Sequence, residues 1–142
     1  MKQGNYLRAE FKVPFKSKWI SEGIDSECID FARSFGSFLK KNNFSNSQFR
    51  NFYGELKRIQ LKGISSSNNS FFLLEPKLAY GAARETEARK KDSAKEFFRI
   101  ISEALHVVIS NDENKVVAFQ NFCDFAESIL AFHKAYDGKV IN

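Results

Sequence analysis

The sequence contains little proline, glycine or cysteine: of its 142 residues, two are Pro, seven are Gly and two are Cys. So few turn-forming residues argue against an all-β fold, which needs a turn after each short strand. The two cysteines, Cys28 and Cys123, form no Cys-x-x-Cys pair and fall on the apolar faces of predicted helices. We therefore expect two buried thiols rather than a disulfide or a metal site.

A long apolar segment is also missing. Residues 1–6 contain no apolar signal core, and no run of about 18 apolar residues is present to span a bilayer. These two features predict a soluble, cytoplasmic protein with no membrane partner.

The sequence has none of the common motifs for catalysis or cofactor binding. It shows no Walker loop, no Rossmann glycines, no zinc ligand set and no Gly-x-Ser-x-Gly, so we expect no cofactor, no metal and no enzymatic activity. Glu103 and His106 form one Glu-x-x-His pair, but a di-iron bundle needs a second pair, and Leu130 stands three residues before His133. We therefore expect His106 to be solvated and His133 to lie in the core or at an interface.

Phenylalanine, in contrast, is abundant, with sixteen residues that supply a large apolar area. Apolar residues recur at helical spacing in five segments, and no segment alternates as a strand would. The sequence predicts an all-α fold, a compact bundle of about five helices. We expect a single helical domain over residues 26–142, preceded by an irregular arm over residues 1–25 with a short helical turn near Trp19.

Capping residues place the first two long helices. Asp25 is expected to cap a helix that runs to about position 42. Ser45 and Gln48 fit a capping box, in which each side chain satisfies a backbone amide of the first turn. Phe44 and Phe49 flank this box at the spacing of a hydrophobic staple. A helix start at position 46 is therefore the strongest local prediction.

The later helix boundaries follow from single Pro, Ser and Gly positions. The helix after the polar loop 63–70 begins near Ser70 or, if Pro76 occupies its first turn, near Glu75. Ser93 is expected to cap the following helix. The predicted bounds are therefore about 70 or 75 to 91, 94 to 110 and 113 to 136.

The last predicted helix is apolar over well over half of its circumference. Such a helix must be covered on two sides, either at the centre of a bundle or at a subunit interface. The candidate interface residues are Ile129, Phe132 and Tyr136.

Basic residues form stripes on two predicted helices, in a chain whose net charge is +5. Arg50, Lys57 and Arg58 lie on one helix, and Lys77 and Arg84 lie on the next, with Tyr80 between them. Cationic groups neutralise phosphates, and an aromatic ring among them can stack on an exposed base. A solvated helix surface with Tyr80 packed inward explains the same pattern, because a charge of +5 is a weak nucleic-acid signal.

Three motifs in the same order resemble the small subunit of type III-A CRISPR effector complexes (the Csm complexes). The first, residues 45–50, is similar to the family's Ser/Thr-x-Ser-x-Ile/Leu-Arg helix start. The second, residues 76–85, is similar to its central Tyr-x-Ala-Gly-Arg segment, through Tyr80 and Arg84. The third, residues 119–139, resembles its closing Phe-x-x-Phe-x-x-Phe/Tyr-x-Glu run and is the most specific. The resemblance spans residues 45–139, with one of the paired glycines near the end replaced by Asp137.

This resemblance implies a non-catalytic structural role. Several copies would stack along the CRISPR guide RNA paired with its target RNA, beside the backbone subunit and the large polymerase-like subunit, while the copy number and homodimerisation of the isolated protein stay open. Arg50 and Arg84 match motif positions. The other candidate RNA-binding residues come from helical geometry alone: Arg33, Lys40, Lys41, Lys57, Arg58 and Lys77.

Two other classes of function compete with this interpretation. A helical adaptor that binds only proteins would carry its positive charge incidentally, and would not be retained on RNA at moderate salt. An enzyme such as a nuclease would cleave RNA in a metal-dependent manner that disappears on changing one carboxylate.

Overall fold

The computed structural model describes residues 14–136. Within this range the chain forms six α-helices and no β-strand. Their bounds are Lys18–Ser21 (α1), Ser26–Lys41 (α2), Asn46–Lys62 (α3), Asn68–Ala83 (α4), Ala88–Ser110 (α5) and Lys115–Ala135 (α6). A single 3₁₀ turn, Ile64–Ser66, joins α3 to α4. The all-α prediction is confirmed, with five long helices and one short one.

Both capping predictions for the first long helices are confirmed, one of them in part. The Asp25 side chain accepts a hydrogen bond from the Cys28 amide at 2.9 Å and so caps α2. The Ser45 hydroxyl accepts one from the Gln48 amide at 3.2 Å and caps α3. The Gln48 side chain does not return to Ser45, because it is bonded to the end of α4 instead. The capping box is therefore half formed.

The hydrophobic staple forms as predicted: the Phe44 and Phe49 ring centroids lie 5.7 Å apart at an interplanar angle of 76°. The turn before it places Asn43 at φ 61°, a left-handed conformation that asparagine tolerates better than most residues. At the other end, α3 stops at Gly63, whose φ of 90° favours glycine.

Of the two starts predicted for α4, the one near Ser70 agrees with the structure and the one near Glu75 is wrong, as is the start predicted for α5. α4 begins at Asn68 and contains Pro76 in its interior rather than in its first turn. Proline there removes the amide that would bond to the Phe72 carbonyl, and both residues lie on the exposed side of the helix. α5 begins at Ala88, with Glu87 as its cap through the Lys90 amide at 2.9 Å.

Ser93, which was expected to cap α5, lies inside that helix. It is buried, and its hydroxyl oxygen lies 3.1 Å from the carbonyl oxygens of both Asn42 and Lys90, which share its single proton. A serine within a helix can bond backwards in this way to a carbonyl of the preceding turn. The non-helical connection between α4 and α5 therefore lies at residues 84–87, earlier than the Ser93 signal suggests.

α6 lies at the centre of the bundle. It packs against α1, α2, α3, α5 and the 3₁₀ turn, and this explains why its sequence is apolar on so many sides. Aromatic rings fill much of the core around it. Phe71 of α4, for example, meets Phe119 and Phe122 with centroids 5.4 and 5.3 Å away. The sequence left a bundle centre and a subunit interface open, and the structure shows the bundle centre.

The predicted short helical turn near Trp19 is confirmed as α1. Trp19 and Ile20 are fully buried, and the Ile20 carbonyl accepts a hydrogen bond from Asn121 Nδ2 at 2.9 Å. The Trp19 ring packs on Phe31 of α2 and Phe125 of α6. Phe15 and α1 therefore pack on the same core as the long helices, while residues 1–13 of the predicted arm lie outside the described range.

Candidate nucleic-acid interface

A groove of about 480 Å³ runs between α3 and α4. Four cationic side chains line it: Arg50 and Arg58 from α3, Lys77 from α4, and Arg84 from the residue that caps the C-terminus of α4. All four are exposed. The antiparallel helices thus bring half of the eight predicted RNA-binding residues to one concave surface.

Tyr80 stands between the two cations of α4. Its side chain is 65% exposed, so it does not pack inward as a core tyrosine would. The Arg84 guanidinium carbon lies 5.7 Å from the centre of the Tyr80 ring, within the range of a cation–π contact. Lys77, Tyr80 and Arg84 therefore form the stripe that their spacing of three and four residues predicts.

Two carboxylates, those of Glu55 and Glu85, share the groove with these cations. Glu55 accepts a hydrogen bond from Arg58 at 2.6 Å and lies 3.9 Å from Lys77 Nζ. The hydrogen bond from Arg58 lowers the pKa of Glu55 against the opposing effect of burial, and the charge of Lys77 acts in the same direction as Arg58. Arg50 and Arg84 form no ion pair with any carboxylate in residues 14–136.

The other predicted RNA-binding residues lie outside this groove. Lys57 turns to the flank of α3, where its Nζ donates to Gln60 at 3.1 Å and lies 5.6 Å from the centre of the Tyr53 ring. Arg33, Lys40 and Lys41 belong to α2, which packs against α5 and α6. The eight residues thus form one group of four and leave the rest on other sides of the bundle.

Arg33 has local partners on its own side of the bundle. It is bonded to Asp30 at 3.1 Å, and its guanidinium carbon lies 5.0 Å from the centre of the Phe132 ring. It therefore covers part of the apolar α2–α6 seam as well as carrying a charge.

Several residues that line the groove were not predicted from the sequence. Its floor is apolar, and its walls carry carboxamides that hydrogen-bond but have no charge. The available signal was one face of α3 that carries three polar side chains and a glycine, at spacings of four, three and four residues (47, 51, 54 and 58). The additional lining residues are Ser45, Ser47, Gln48, Asn51, Phe52, Gly54, Leu74, Leu78 and Gly81.

The three predicted interface residues differ in how far they are buried. Ile129 is fully buried inside the chain's own core, so its apolar side chain is already covered without a partner. Phe132 and Tyr136 are half-buried, and of the three only these two offer surface to another molecule. The sequence could not separate them, because apolar periodicity does not say which neighbour covers a side chain.

The histidines and cysteines lie where the sequence predicted. His133 is buried, with its ring centroid 5.2 Å from that of Phe49, and His106 is exposed, with its Nε2 3.2 Å from Glu75 Oε2. Cys28 and Cys123 are buried thiols, and burial raises the pKa of each to about 12. In residues 14–136, no cluster of His, Cys, Asp and Glu is arranged to hold a metal ion.

None of the helices described is both long enough and apolar enough to cross a bilayer.

Comparison with known proteins places the chain in a family. The family model described as Csm2 Type III-A matches residues 25–139, which is most of the chain and includes α2 to α6. The match extends the region of resemblance, residues 45–139, to include the whole of α2. Comparison with curated proteins and with solved structures found no match. The chain belongs to the Csm2 type III-A family, the small subunit of the type III-A CRISPR complex.

Proposed function

We propose that this protein is a non-catalytic small subunit that contacts the phosphate backbone of the guide RNA–target RNA duplex through the α3–α4 groove. Membership of the family supports the place of the chain in the Csm complex. The observation that carries the RNA contact is the convergence of Arg50, Arg58, Lys77 and Arg84 from two helices on one groove.

The chemistry of these groups suits phosphate binding that does not depend on sequence. Guanidinium groups make charge-assisted hydrogen bonds to phosphate oxygens, and an ammonium group adds a point charge. Base pairing with the guide already reads the target sequence, so a structural subunit needs only to hold the backbone. Arg50 and Arg84 carry most of this role, because neither is paired with a carboxylate in the described part of the chain.

The geometry around the exposed histidine supports a non-catalytic role. Ser102 and His106 both bond to the same oxygen of Glu75. In a nucleophilic triad the histidine bonds to the serine and to the carboxylate with different ring nitrogens. Here the carboxylate stands between the other two residues, so His106 does not act as a base on Ser102.

We propose the other members of the cytoplasmic Csm complex as protein partners: neighbouring copies of this chain, the backbone subunit and the large polymerase-like subunit. Apolar side chains that this chain leaves exposed support protein contacts outside the groove. They are Ile24, Leu61, Phe72, Leu73, Val116 and Val117.

RNA binding by two matched double variants tests the proposed function. Arg50→Ala with Arg84→Ala removes two charges from the groove, and Arg89→Ala with Lys95→Ala removes two charges from exposed positions of α5 outside it. Fluorescence anisotropy with a guide–target RNA duplex gives the affinity at several salt concentrations. We expect the groove variant to bind more weakly and to lose about 1.4 to 1.8 from the slope of log affinity against log salt.

The control variant should bind with a slope closer to that of the wild type. If a folded groove variant keeps both the affinity and the slope of the wild type, the chain is a helical protein–protein adaptor without direct nucleic-acid contact. Adding Lys57→Glu to the groove variant should change binding little, since Lys57 points away from the groove.

A further inference from the structure

The α3–α4 groove contains groups that a phosphate does not need. Its floor is formed by Phe52, Leu74 and Leu78, which are at most 9% exposed. Asn51 adds a carboxamide to the wall, and so does Gln48, whose amide nitrogen is bonded to Glu85 and the Gly81 carbonyl and whose amide oxygen is its group for a base. Phosphate oxygens gain nothing from an apolar floor, whereas a nucleobase buries its ring on apolar surface and bonds its edge to amides.

Tyr80 is the most exposed aromatic residue between positions 14 and 136, at 65%, and it lines this groove. Most aromatic rings of the chain are buried in the core, where they pack on one another. An exposed ring beside a groove, flanked on its own helix by Lys77 and Arg84, is the arrangement by which proteins stack an RNA base while holding the adjoining phosphates.

The volume of the groove suits a small ligand. About 480 Å³ lies within the range of about 300–1,000 Å³ that is usual for small-molecule sites. Lys77 and Arg84 are seven residues apart, a separation of about 10 Å along the helix axis. A base that rests on Tyr80 between them therefore has a cation on either side for the phosphates that precede and follow it.

We infer that the α3–α4 groove binds an unpaired nucleobase of RNA, stacked on the Tyr80 ring, with the flanking phosphates held by the four cations of the groove. This inference rests on the proposed function and adds to it the form of RNA that the groove takes. A paired base is stacked on both sides within its own helix, and the major groove of A-form RNA is too narrow for side chains to read. Only a base outside a continuous duplex can reach the ring.

The test compares Tyr80→Ala and Tyr80→Phe in the full-length chain. The control is Phe72→Ala, which removes an exposed ring from the same helix outside the groove. Three RNAs of equal length carry 2-aminopurine at one position: a single strand, a duplex with that base bulged, and a fully paired duplex. Anisotropy gives the affinity, and quenching of 2-aminopurine fluorescence reports stacking.

We expect Tyr80→Ala to weaken binding of the single strand and of the bulged duplex by at least about fivefold and to abolish the quenching. Tyr80→Phe keeps the ring and should stay within about twofold of the wild type, as should Phe72→Ala. The fully paired duplex should bind all four proteins with similar affinity. The salt slope should not change, because the phosphate contacts remain.

Two results would overturn the inference in different ways. If Tyr80→Ala binds and quenches like the wild type while the Arg50/Arg84 variant binds RNA more weakly, phosphate binding stands and stacking is rejected. If neither variant changes RNA binding, the groove is not an RNA site, and the proposed function is rejected with the inference. If 2-aminopurine fluorescence is quenched in only one of the two RNAs with an unpaired base, the groove accepts that form, either a single strand or a base bulged from a duplex.

Discussion

Gln48 Nε2 donates a hydrogen bond to a carboxylate oxygen of Glu85 at 2.5 Å, across the gap between the first turn of α3 and the second residue after α4. The same nitrogen lies 3.3 Å from the Gly81 carbonyl oxygen. A Cβ atom at position 81 would stand 3.2 Å from Gln48 Oε1, so glycine leaves room for this contact. Arg50 lies two residues after Gln48, and Arg84 immediately precedes Glu85. The bond between Gln48 and Glu85 therefore fixes the end of the groove where these two cations lie.

Breaking this bond should weaken RNA binding without removing a phosphate contact. Gln48→Ala is expected to lower the free energy of unfolding by about 1–3 kcal/mol, since a hydrogen bond to a carboxylate is lost, and to lower RNA affinity at an unchanged salt slope. Urea unfolding and anisotropy across a salt series measure the two effects.

A swap of the two side chains provides the control. Gln48→Glu alone places two carboxylates in contact and should lower stability and affinity further than Gln48→Ala. The pair Gln48→Glu with Glu85→Gln restores the bond between the two side chains but not the contact with the Gly81 carbonyl, and should recover part of both. If the swap does not recover RNA affinity, this bond does not position the cations.

Gly36 allows α2 to approach α6 at backbone distance. An added Cβ atom would lie 2.8 Å from the Cβ atom of Phe132 and 2.9 Å from the backbone nitrogen of His133. Both neighbours belong to a buried helix and cannot move alone. We expect Gly36→Ala to lower the free energy of unfolding by about 1–3 kcal/mol, measured by urea denaturation.

Gly54 is the matched control for Gly36, because it also lies inside a helix but a Cβ atom there meets nothing within 4 Å. Gly54→Ala should raise stability by about 0.5–1 kcal/mol through helix propensity. Equal effects of the two substitutions, in either direction, would show that the close approach of α2 and α6 does not determine stability.

The half-buried Phe132 and the buried Ile129 should respond differently to serine. Ile129→Ser opens a cavity in the core and is expected to cost about 2–5 kcal/mol of stability. Phe132 lies at the α2–α6 seam under Arg33, and Phe132→Ser should keep the helical circular dichroism. If copies of the chain associate through this seam, sedimentation of Phe132→Ser shifts towards monomer. An unchanged distribution relative to the wild type would exclude Phe132 from self-association.

Much of the fold could be predicted because its signals are local. Asp25 and Ser45 each cap a helix through an amide three residues ahead, and Phe44 meets Phe49 across one turn. Such contacts lie within a few residues in the chain and leave a fixed spacing. The apolar circumference of α6 likewise predicted cover on two sides.

Features that depend on how helices pack could not be predicted in the same way. The side chains of Arg58 and Lys57 are adjacent in sequence, yet only Arg58 lines the groove, because the rotation of α3 against α4 decides it. Pro76 usually marks a first turn and so left a second start near Glu75 open, although the helix begins close to Ser70, at Asn68. Gln48 has the spacing of a capping box, but its side chain is hydrogen-bonded to Glu85 and to the Gly81 carbonyl. These contacts depend on where α4 lies, which the sequence of α3 does not indicate.

Glu55 reduces the positive charge of the groove and should therefore limit its affinity for RNA. It is bonded to Arg58 at 2.6 Å and lies 3.9 Å from Lys77. A phosphate that binds either cation must therefore displace Glu55 or compete with it for the same charge. We expect Glu55→Gln to bind RNA more tightly than the wild type and with a steeper salt dependence, by about 0.7–0.9 for each cation released to a phosphate. Anisotropy over a salt series measures both.

The same substitution should cost stability in a way that depends on pH. The pKa of Glu55 is lowered in the folded chain, chiefly by the hydrogen bond from Arg58, so its ionised form stabilises the fold above its ordinary pKa. That contribution is lost as the pH falls through the lowered value. Glu55→Gln should therefore be less stable than the wild type by up to about 1 kcal/mol at pH 7, and the difference should shrink on acidification.

Glu96 supplies the matched control, since it pairs with Arg99 at 2.8 Å on α5, outside the groove. Glu96→Gln should lose a similar amount of stability while its RNA affinity stays at the wild-type value. The two variants separate the electrostatics of the groove from the loss of an ion pair in general. If Glu55→Gln and Glu96→Gln bind RNA alike, phosphates do not compete with Glu55 for Arg58 and Lys77, and these two cations do not contact the backbone.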